Sequence, residues 1–539
     1  MIIDARRHPP REPLDCDVCV IGAGAAGLTL AMALREARLQ VCVLEGGGAN
    51  FASAAQRLLE GDAPPGYPSL QTTRLAALGG STRVWAGWGR PLDAIDLERR
   101  AALPWSGWPI SSEELAPYYS AAHTLLGLPG CDYDVQAWES ATRASRLALP
   151  PEAFETILLR RAPVDFATLY RRHGEPAGNT RVFLHAAVSH LAFAGGGASV
   201  SEVHAVTPTR ARFRIRPRIT VLAAGGIGNA HVLLLSGLPG ADTGAAITRH
   251  PWLGRGFTEH GFLDSATFVP ADPRCALPLY QSRTLRVGAT RRTARAALSA
   301  PAELKRRAGL LNAALYFRPA HDVHADLSSG HLRSLLQAWD MLRWRAVPDR
   351  IGAHLAHGLR APVVLARYAW QRAMGRGSTA AQWRVRALFE CAPDPDDRIE
   401  LTTRRDALDR PLPRLIWRMR TGDIESLMAT HRLLDQSLQA AGLGRLVPRS
   451  ADAAEWLAAA EPALHHLGGT RMHDDPALGV VDRNARAHGV DNLYIAGGSV
   501  FPTGGFANPT LTIVALSLRL AEHLRGHGFR PPPAAPRTS

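Results

Sequence analysis

The chain has 539 residues, 46% of them hydrophobic, too many for one simple core and enough to bury two or three. No run of 18 or more apolar residues occurs, and residues 1–15 carry no apolar stretch, so neither a membrane span nor an export signal is expected. Net charge is +14, from 62 Lys and Arg against 48 Asp and Glu, with Lys305 the single lysine; no zinc-finger, RNP-like or aromatic-interleaved basic motif accompanies it, which argues against a nucleic-acid partner.

In chain order, residues 16–21 (CDVCVI) read as a buried strand. Gly22-Ala23-Gly24-Ala25-Ala26-Gly27 follows, then a helical run, LTLAMALREA. A second strand, QVCVLE, comes after that helix and ends at Glu45. This is a dinucleotide-binding fingerprint in its full context. Gly22 makes the tight turn, Gly24 lets the backbone approach a pyrophosphate, and Gly27 lets helix and strand pack. Free N–H groups at the helix start, around Ala25 and Ala26, face the phosphates. Glu45 is placed for ribose hydroxyls. Six cysteines make no disulfide framework; Cys16, Cys19 and Cys42 lie in the strand-like runs and read as buried thiols, which points to the cytoplasm.

Residues 78–92 read LGGSTRVWAGWGRPL. Gly79-Gly80-Ser81-Thr82 is a turn that brings backbone close to something flat or phosphorylated. Trp85 and Trp88 alone fit core packing as well. Further on, RVFLHAAVSHLAF (residues 181–193) predicts a strand beside a later one, residues 219–222, which runs into Ala223-Ala224-Gly225-Gly226 and a helix. A nucleotide domain split across the sequence has this pattern. Alternating IELT and PRLIWRM (residues 399–402 and 413–419) predict antiparallel strands. Between them and the N-terminal half lies the segment 331–376, with Leu332, Leu335, Leu336, Trp339 and Leu342 at helical spacing and eight arginines against two aspartates. Pro348 and Pro362 divide it into short helices. It reads as a helical lid or oligomer contact, or alternatively as a weak membrane-surface attachment.

Residues 464–472, LHHLGGTRM, offer two adjacent histidines. Then come YIAGG, a strand ending in glycines, and TLTIVALSLRLAEHL, a helix with Asn508-Pro509-Thr510 at its start. A helix N-terminus suits the electron-rich pyrimidine edge of a reduced flavin.

Taken together, these parts resemble a glucose–methanol–choline (GMC) oxidoreductase over residues 14–527, with features of the pyranose oxidase and cholesterol oxidase branch. The elements that carry the resemblance are the N-terminal GxGxxG, the GGxS-type segment, the LAAGG strand, and the H-x-x-G-x-x-[KR]-M stretch followed by FANPT. The resemblance implies an α/β (α+β overall) fold: a Rossmann-like FAD-binding domain from residues 14–260 and 461–530, and a substrate domain, residues 261–460, with an antiparallel sheet and helices. It implies FAD as cofactor and no metal. The family spacing puts the catalytic histidine seven positions before Met472, at His465 rather than His466. Asn508, 43 positions on, becomes its partner. FAD contacts are implied at Gly22, Gly24, Ala25, Ala26, Gly27, Glu45, Gly79, Gly80, Ser81, Trp85, Ala86, Val188, Ala224, Gly225, Gly498, Ser499, Pro509 and Thr510. Arg83-Val84-Trp85 stands where some relatives carry a flavin-linked histidine, so the FAD is expected to be noncovalent. Gly228 replaces an acid often seen after the LAAGG strand.

The reaction implied is oxidation of a CH–OH group on a sugar, glycoside or polyol-like natural product, with His465 taking the hydroxyl proton and the hydride passing to flavin N5. Electrons would go on to oxygen, a quinone or another acceptor, and an oligomer is compatible with the sequence. Rival readings are a sterol or apolar alcohol oxidase, a quinone-linked peripheral membrane dehydrogenase, and a non-redox FAD lyase.

Overall fold

The computed structural model describes residues 1–320 and 381–526, apart from 11–12, 36, 38, 129, 163, 175–177, 239–244 and 288–289. The basic segment, residues 331–376, lies outside the described residues.

Eight described strands form the first sheet. At its centre is Leu14–Ile21, where Val18, Cys19 and Val20 are wholly buried. A strand covered on both faces needs such an uninterrupted apolar run, and this is the signature of a parallel sheet. Val41–Glu45 lies on one side of it and Arg212–Leu222 on the other, both parallel. Thr180–Leu184 and Ile2–Asp4 extend the sheet, again in parallel. The 11-residue strand Arg212–Leu222 has two partners on its far side. Its N-terminal part pairs antiparallel with Ser199–Val206, and Thr220, Val221 and Leu222 pair in parallel with Leu493–Ile495. Segments from near the two ends of the chain, Leu14–Ile21 and Leu493–Ile495, thus share one sheet.

The expected single strand over residues 181–193 is two strands, and neither lies beside Arg212–Leu222. Thr180–Leu184 pairs with Val41–Glu45, and Ala187–Ala194 pairs antiparallel with Ser199–Val206. The break falls at His185, whose φ is 58°. Its N–H and that of Ala186 are spent on the carbonyls of Gly47 and Glu45, which turns the chain out of the first pairing. The first helix is shorter than its apolar run, Ala25–Ala33. It packs against the C-terminal helix Thr510–Gly526, which in turn meets Ser112–Leu125, a helix opened by a Ser111/Glu114 capping box.

The second sheet has nine described strands, all antiparallel. Its order runs Gly444–Pro448, His260–Pro270, Trp383–Glu390, Ala313–Pro319, Thr290–Ser299, Glu155–Arg161 and Trp88–Gly89, with two short strands beside the path. Trp88–Gly89 and Glu155–Arg161 come from the N-terminal part of the chain, outside the expected substrate domain. Register puts Phe262, Leu388 and Ala314 in one row on one face. Ile157, Leu159, Ala297 and Tyr316 join them in a cluster closed by Phe506 and Trp88. Arg398–Arg405 and Pro411–Ile416 pair antiparallel, as their alternation indicates, but as a separate ribbon against the helix Gly225–Ser236. Asp62 holds it there through backbone bonds with Pro413 and Leu415.

Candidate active site

At the first strand–turn–helix, Gly22 has φ 110°, and a Cβ on it would lie 2.4 Å from the Ala223 carbonyl oxygen. A Cβ on Gly27 would lie 1.9 Å from the Gly22 oxygen. Gly24 is different: a Cβ there would meet nothing within 4 Å. The space beside it is open, as a group of phosphate size requires. The turn at residues 79–82 closes over this point. Gly79 N–H donates to the Ala23 oxygen at 2.8 Å, and a Cβ on Gly80 would stand 3.0 Å from Gly24 Cα. Glu45 caps the same turn, accepting from the N–H groups of Ala23 (2.9 Å) and Gly47 (2.8 Å). Each carboxylate oxygen keeps a further lone pair for a ribose hydroxyl. Burial raises its pKa.

Just past the end of the neighbouring parallel strand Arg212–Leu222, Gly225 also faces open space, at φ 83°. Asn229, which the sequence did not single out, ties this point to the C-terminal segment. It accepts from Ala224 N–H (2.7 Å) and donates to Ala496 O (2.9 Å) and Ser499 Oγ (2.8 Å). Trp85 donates its indole N–H to Val164 O at 3.3 Å, Ala86 O accepts from Arg161, and Val188 O accepts from Arg410. Ser81 is exposed and accepts from Leu75 N–H. Among the described residues, no hydrogen bond links Val188, Glu45 or Ser81 to the histidine pair.

That pair is reached through the bridge between Thr258 and Leu467, with N–H to O distances of 2.9 and 3.0 Å. It brings Glu259 and His260 against His465 and His466. His465 Nδ1 lies 2.8 Å from His260 Nδ1, and His465 Nε2 lies 3.2 Å from Asn508 Nδ2. The protons can be assigned from one end. Gly504 O can only accept, so His260 Nε2, 3.3 Å away, carries a hydrogen. Burial lowers the pKa of His260 to about 4, so the ring is neutral and its Nδ1 is an acceptor. His465 must then donate from Nδ1. Burial, His260 and His466 hold the pKa of His465 well below the ordinary histidine value, so its Nε2 is a bare lone pair. The Asn508 amide N–H points at that lone pair.

Glu259 organises the backbone around this chain. Fully buried, it accepts from Tyr67 OH (2.7 Å), His465 N–H (2.8 Å) and His260 N–H (3.3 Å). Burial, opposed by those bonds, pushes its pKa up to about 8. His466 points the other way. Its ring lies beside Tyr67, Phe257 and Glu259, and burial with Arg74 lowers its pKa to about 3. Its carbonyl is gripped between two glycines: a Cβ on Gly226 would stand 2.3 Å from that oxygen, and one on Gly498 2.7 Å.

Behind Gly504 lies a buried ionic platform. Arg100 binds Glu390 through both nitrogens (2.6 and 2.8 Å), and Glu390 accepts from Gly505 N–H (3.3 Å). Asp96 accepts from Asn312 (2.8 Å), while its carbonyl accepts from Thr503 (2.7 Å). Gly505, at φ 55°, has no room for a Cβ beside the Asp96 carboxylate. The platform fixes the Gly504 carbonyl that sets the His260 tautomer.

His260, Glu259 and Tyr67 were not found by reading the sequence. The acid–histidine doublet in TEHGF was an available signal; Tyr67 offered none. Among the described residues, no group of three or more His, Cys, Asp and Glu could hold a metal ion, and no helix is long and apolar enough to cross a membrane.

The parallel sheet with its open glycine turn, joined to a histidine–asparagine pair over an antiparallel sheet, defines an FAD-dependent oxidoreductase. A GMC oxidoreductase family model matches residues 393–517, and an FAD-binding-domain model matches residues 17–56. Together these matches mark the chain as an FAD-dependent alcohol oxidoreductase, similar to the GMC oxidoreductases. It is 25% identical to 6'''-hydroxyparomomycin C oxidase of Streptomyces lividus, the match covering 95% of this chain and 91% of the relative. It is also 25% identical to paromamine 6'-oxidase of Streptomyces fradiae, with the same two coverages. Among solved structures, pyridoxine 4-oxidase from Mesorbium loti shares the fold, with TM-score 0.57, 16% identity, and 95% and 99% of the two chains covered.

Proposed function

We propose that this FAD-dependent alcohol oxidoreductase acts on a CH–OH group of a sugar, glycoside or polyol-like natural product, with His465 as the base. The observation that carries the assignment is the proton order along Gly504, His260 and His465, which leaves His465 Nε2 as an unprotonated acceptor beside Asn508. Similarity over nearly the whole chain to oxidases named for paromomycin-type compounds supports the substrate class.

The residues present fit FAD. The open spaces at Gly24 and Gly225 and the Glu45 carboxylate lie along the edge where a dinucleotide would be held, and Pro509-Thr510 opens a helix beside Asn508. Bound FAD supplies a hydride acceptor. The protein's own part is to take the hydroxyl proton on His465 Nε2, so that the carbon-bound hydrogen leaves with its electron pair. Asn508 donates to the developing alkoxide oxygen and orients it. Noncovalent FAD is supported by Arg83-Val84-Trp85, which has no nucleophile, with Arg83 bound to Ala49 O. The free thiols of buried Cys16, Cys19 and Cys42 support a cytoplasmic site. Residues 14–260 with 461–530 form the FAD-binding part in this reading, and residues 261–460 most of the substrate-facing part.

Anaerobic mixing with sugars, glycosides, polyols, sterols and simple alcohols tests the proposal, with flavin bleaching as the readout. His465→Ala should retain FAD and slow bleaching by about 10²- to 10⁴-fold. Unchanged bleaching in that variant, or damage only in His466→Ala, would refute the assignment. Admitting oxygen to the bleached protein then separates oxygen from a quinone or another acceptor.

A further inference from the structure

The face of the antiparallel sheet that begins at the histidine pair is apolar and then turns cationic. Its apolar part includes Phe262, Ala463 and Phe506, each two positions from His260, His465 or Asn508. Register carries the same face outward through Asp264, Arg386 and Tyr316 to Arg384 and Arg318. Arg295 stands opposite Leu159 on this face, two residues from Ala297. Its guanidinium carbon lies 4.4 Å from the Trp88 ring centroid and 4.2 Å from that of Tyr316.

Arg386 is neutralised by Asp264, at 2.6 and 2.9 Å. Among the described residues, no carboxylate neutralises Arg295: its Nε is buried without a hydrogen-bond partner, and burial lowers its pKa, opposed by the Tyr316 hydroxyl alone. Arg90, 5.4 Å over the Phe506 ring, gives one nitrogen to Asp93, while its Nε and second terminal nitrogen are buried and unmatched. Aromatic faces offset part of the cost of a half-buried guanidinium. They do not replace acceptors for the remaining N–H groups, and buried N–H donors left unmatched are costly. Guanidinium forks match carboxylate and phosphoryl oxygens.

We propose that the alcohol substrate carries an oxyanion, a carboxylate or a phosphoryl group, which Arg295 and Arg90 bind while the hydroxyl faces His465; the inference rests on the alcohol-oxidation reading above. The test is calorimetric titration of the FAD-loaded full chain with D-glucuronate, glucose 6-phosphate, glucose and glucosamine. Either anion, or both, should bind at least about tenfold tighter than glucose, and glucosamine no tighter than glucose. The two anionic arms distinguish carboxylate from phosphoryl recognition. Arg295→Gln should remove most of the preference with the flavin spectrum retained, and Arg295→Lys should keep part of it. If Arg295→Gln does not load FAD, Arg90→Gln takes its place with the same expectation. Equal binding of glucose and both anions, no anion binding, or a preference that survives the substitution overturns the proposal. Bleaching by glucose without anion preference removes only the anion site. Anion binding without bleaching by any sugar or polyol keeps the anion site and removes the oxidation reading.

Discussion

At the scale of single residues, the proton order makes His260 a positioning residue if His465 is the base, as proposed. His260→Leu removes the acceptor for His465 Nδ1–H and frees that ring to place its hydrogen on Nε2, where it no longer serves as a base. Flavin reduction should slow by at least about tenfold with FAD retained, and His260→Gln, which restores an acceptor, should recover part of the rate. A merely structural role would not distinguish these two variants. The depressed pKa of His465 has a consequence in pH profiles: the ring is already neutral at pH 6.5, so the reduction rate should be level from pH 8 down through 6 instead of falling near 6.5. Rapid-mixing reduction across that range checks it. The meeting of His465 with Asn508 is the pairing that the resemblance implied, through a histidine seven positions from Met472 and the asparagine in FANPT. His260 was not legible, because its meaning depends on one backbone bridge, Thr258 to Leu467, between segments far apart in the chain.

At the scale of elements, the glycines in the nucleotide turn separate two requirements that the motif alone merges. Gly27→Ala would drive a methyl to within 1.9 Å of a carbonyl oxygen, so strand and helix cannot keep their spacing and the protein should fail to fold. Gly24→Ala meets no protein atom, so the thermal midpoint of the FAD-free protein should hold, while affinity for FAD falls by at least about tenfold. Fluorescence titration of FAD into both forms distinguishes packing from ligand approach. Gly226→Ala acts through neither, since it pushes on the His466 carbonyl, and should displace the neighbouring His465 and slow flavin reduction. Strands with continuous apolar runs, such as Leu14–Ile21, were legible from pattern. The division of residues 181–193 was not, because apolar residues continue across His185 and only the backbone bonds to Gly47 and Glu45 make the turn.

At the scale of the whole molecule, buried titratable groups set the pH range of stability. His190, His231, His260 and His431 have pKa values lowered to about 4, and His466 to about 3, in each case chiefly by burial. Between that range and 6.5 the unfolded chain binds protons that the native protein does not, so stability falls as pH falls. Burial acts oppositely on carboxyls, raising Asp423 to about 6, Asp96 to about 7 and Glu259 to about 8. These keep protons in the native state that the unfolded chain has released, so stability also declines as pH rises toward 8. The thermal midpoint should peak near pH 7, and a calorimetric series from pH 5 to 9 checks both slopes. Motif order and the family resemblance it carries implied an α/β enzyme with a Rossmann-like domain and an antiparallel sheet. They gave no sign that strands at residues 88–89 and 155–161 join the substrate-side sheet, because the first is only two residues long and the apolar run of the second does not say which sheet it enters.

The parallel pairing of Leu493–Ile495 with Arg212–Leu222 has a consequence in time. During synthesis the glycine turn and most of the nucleotide sheet emerge first, yet the sheet's last parallel strand, the histidine pair and Asn508 all lie beyond residue 460. Residues 261–460 must leave the ribosome before that edge can close. A nascent chain stalled before residue 461 already holds the glycine turn but lacks the histidine pair and Asn508, so on the proposed reading competence for chemistry arrives as a single late event.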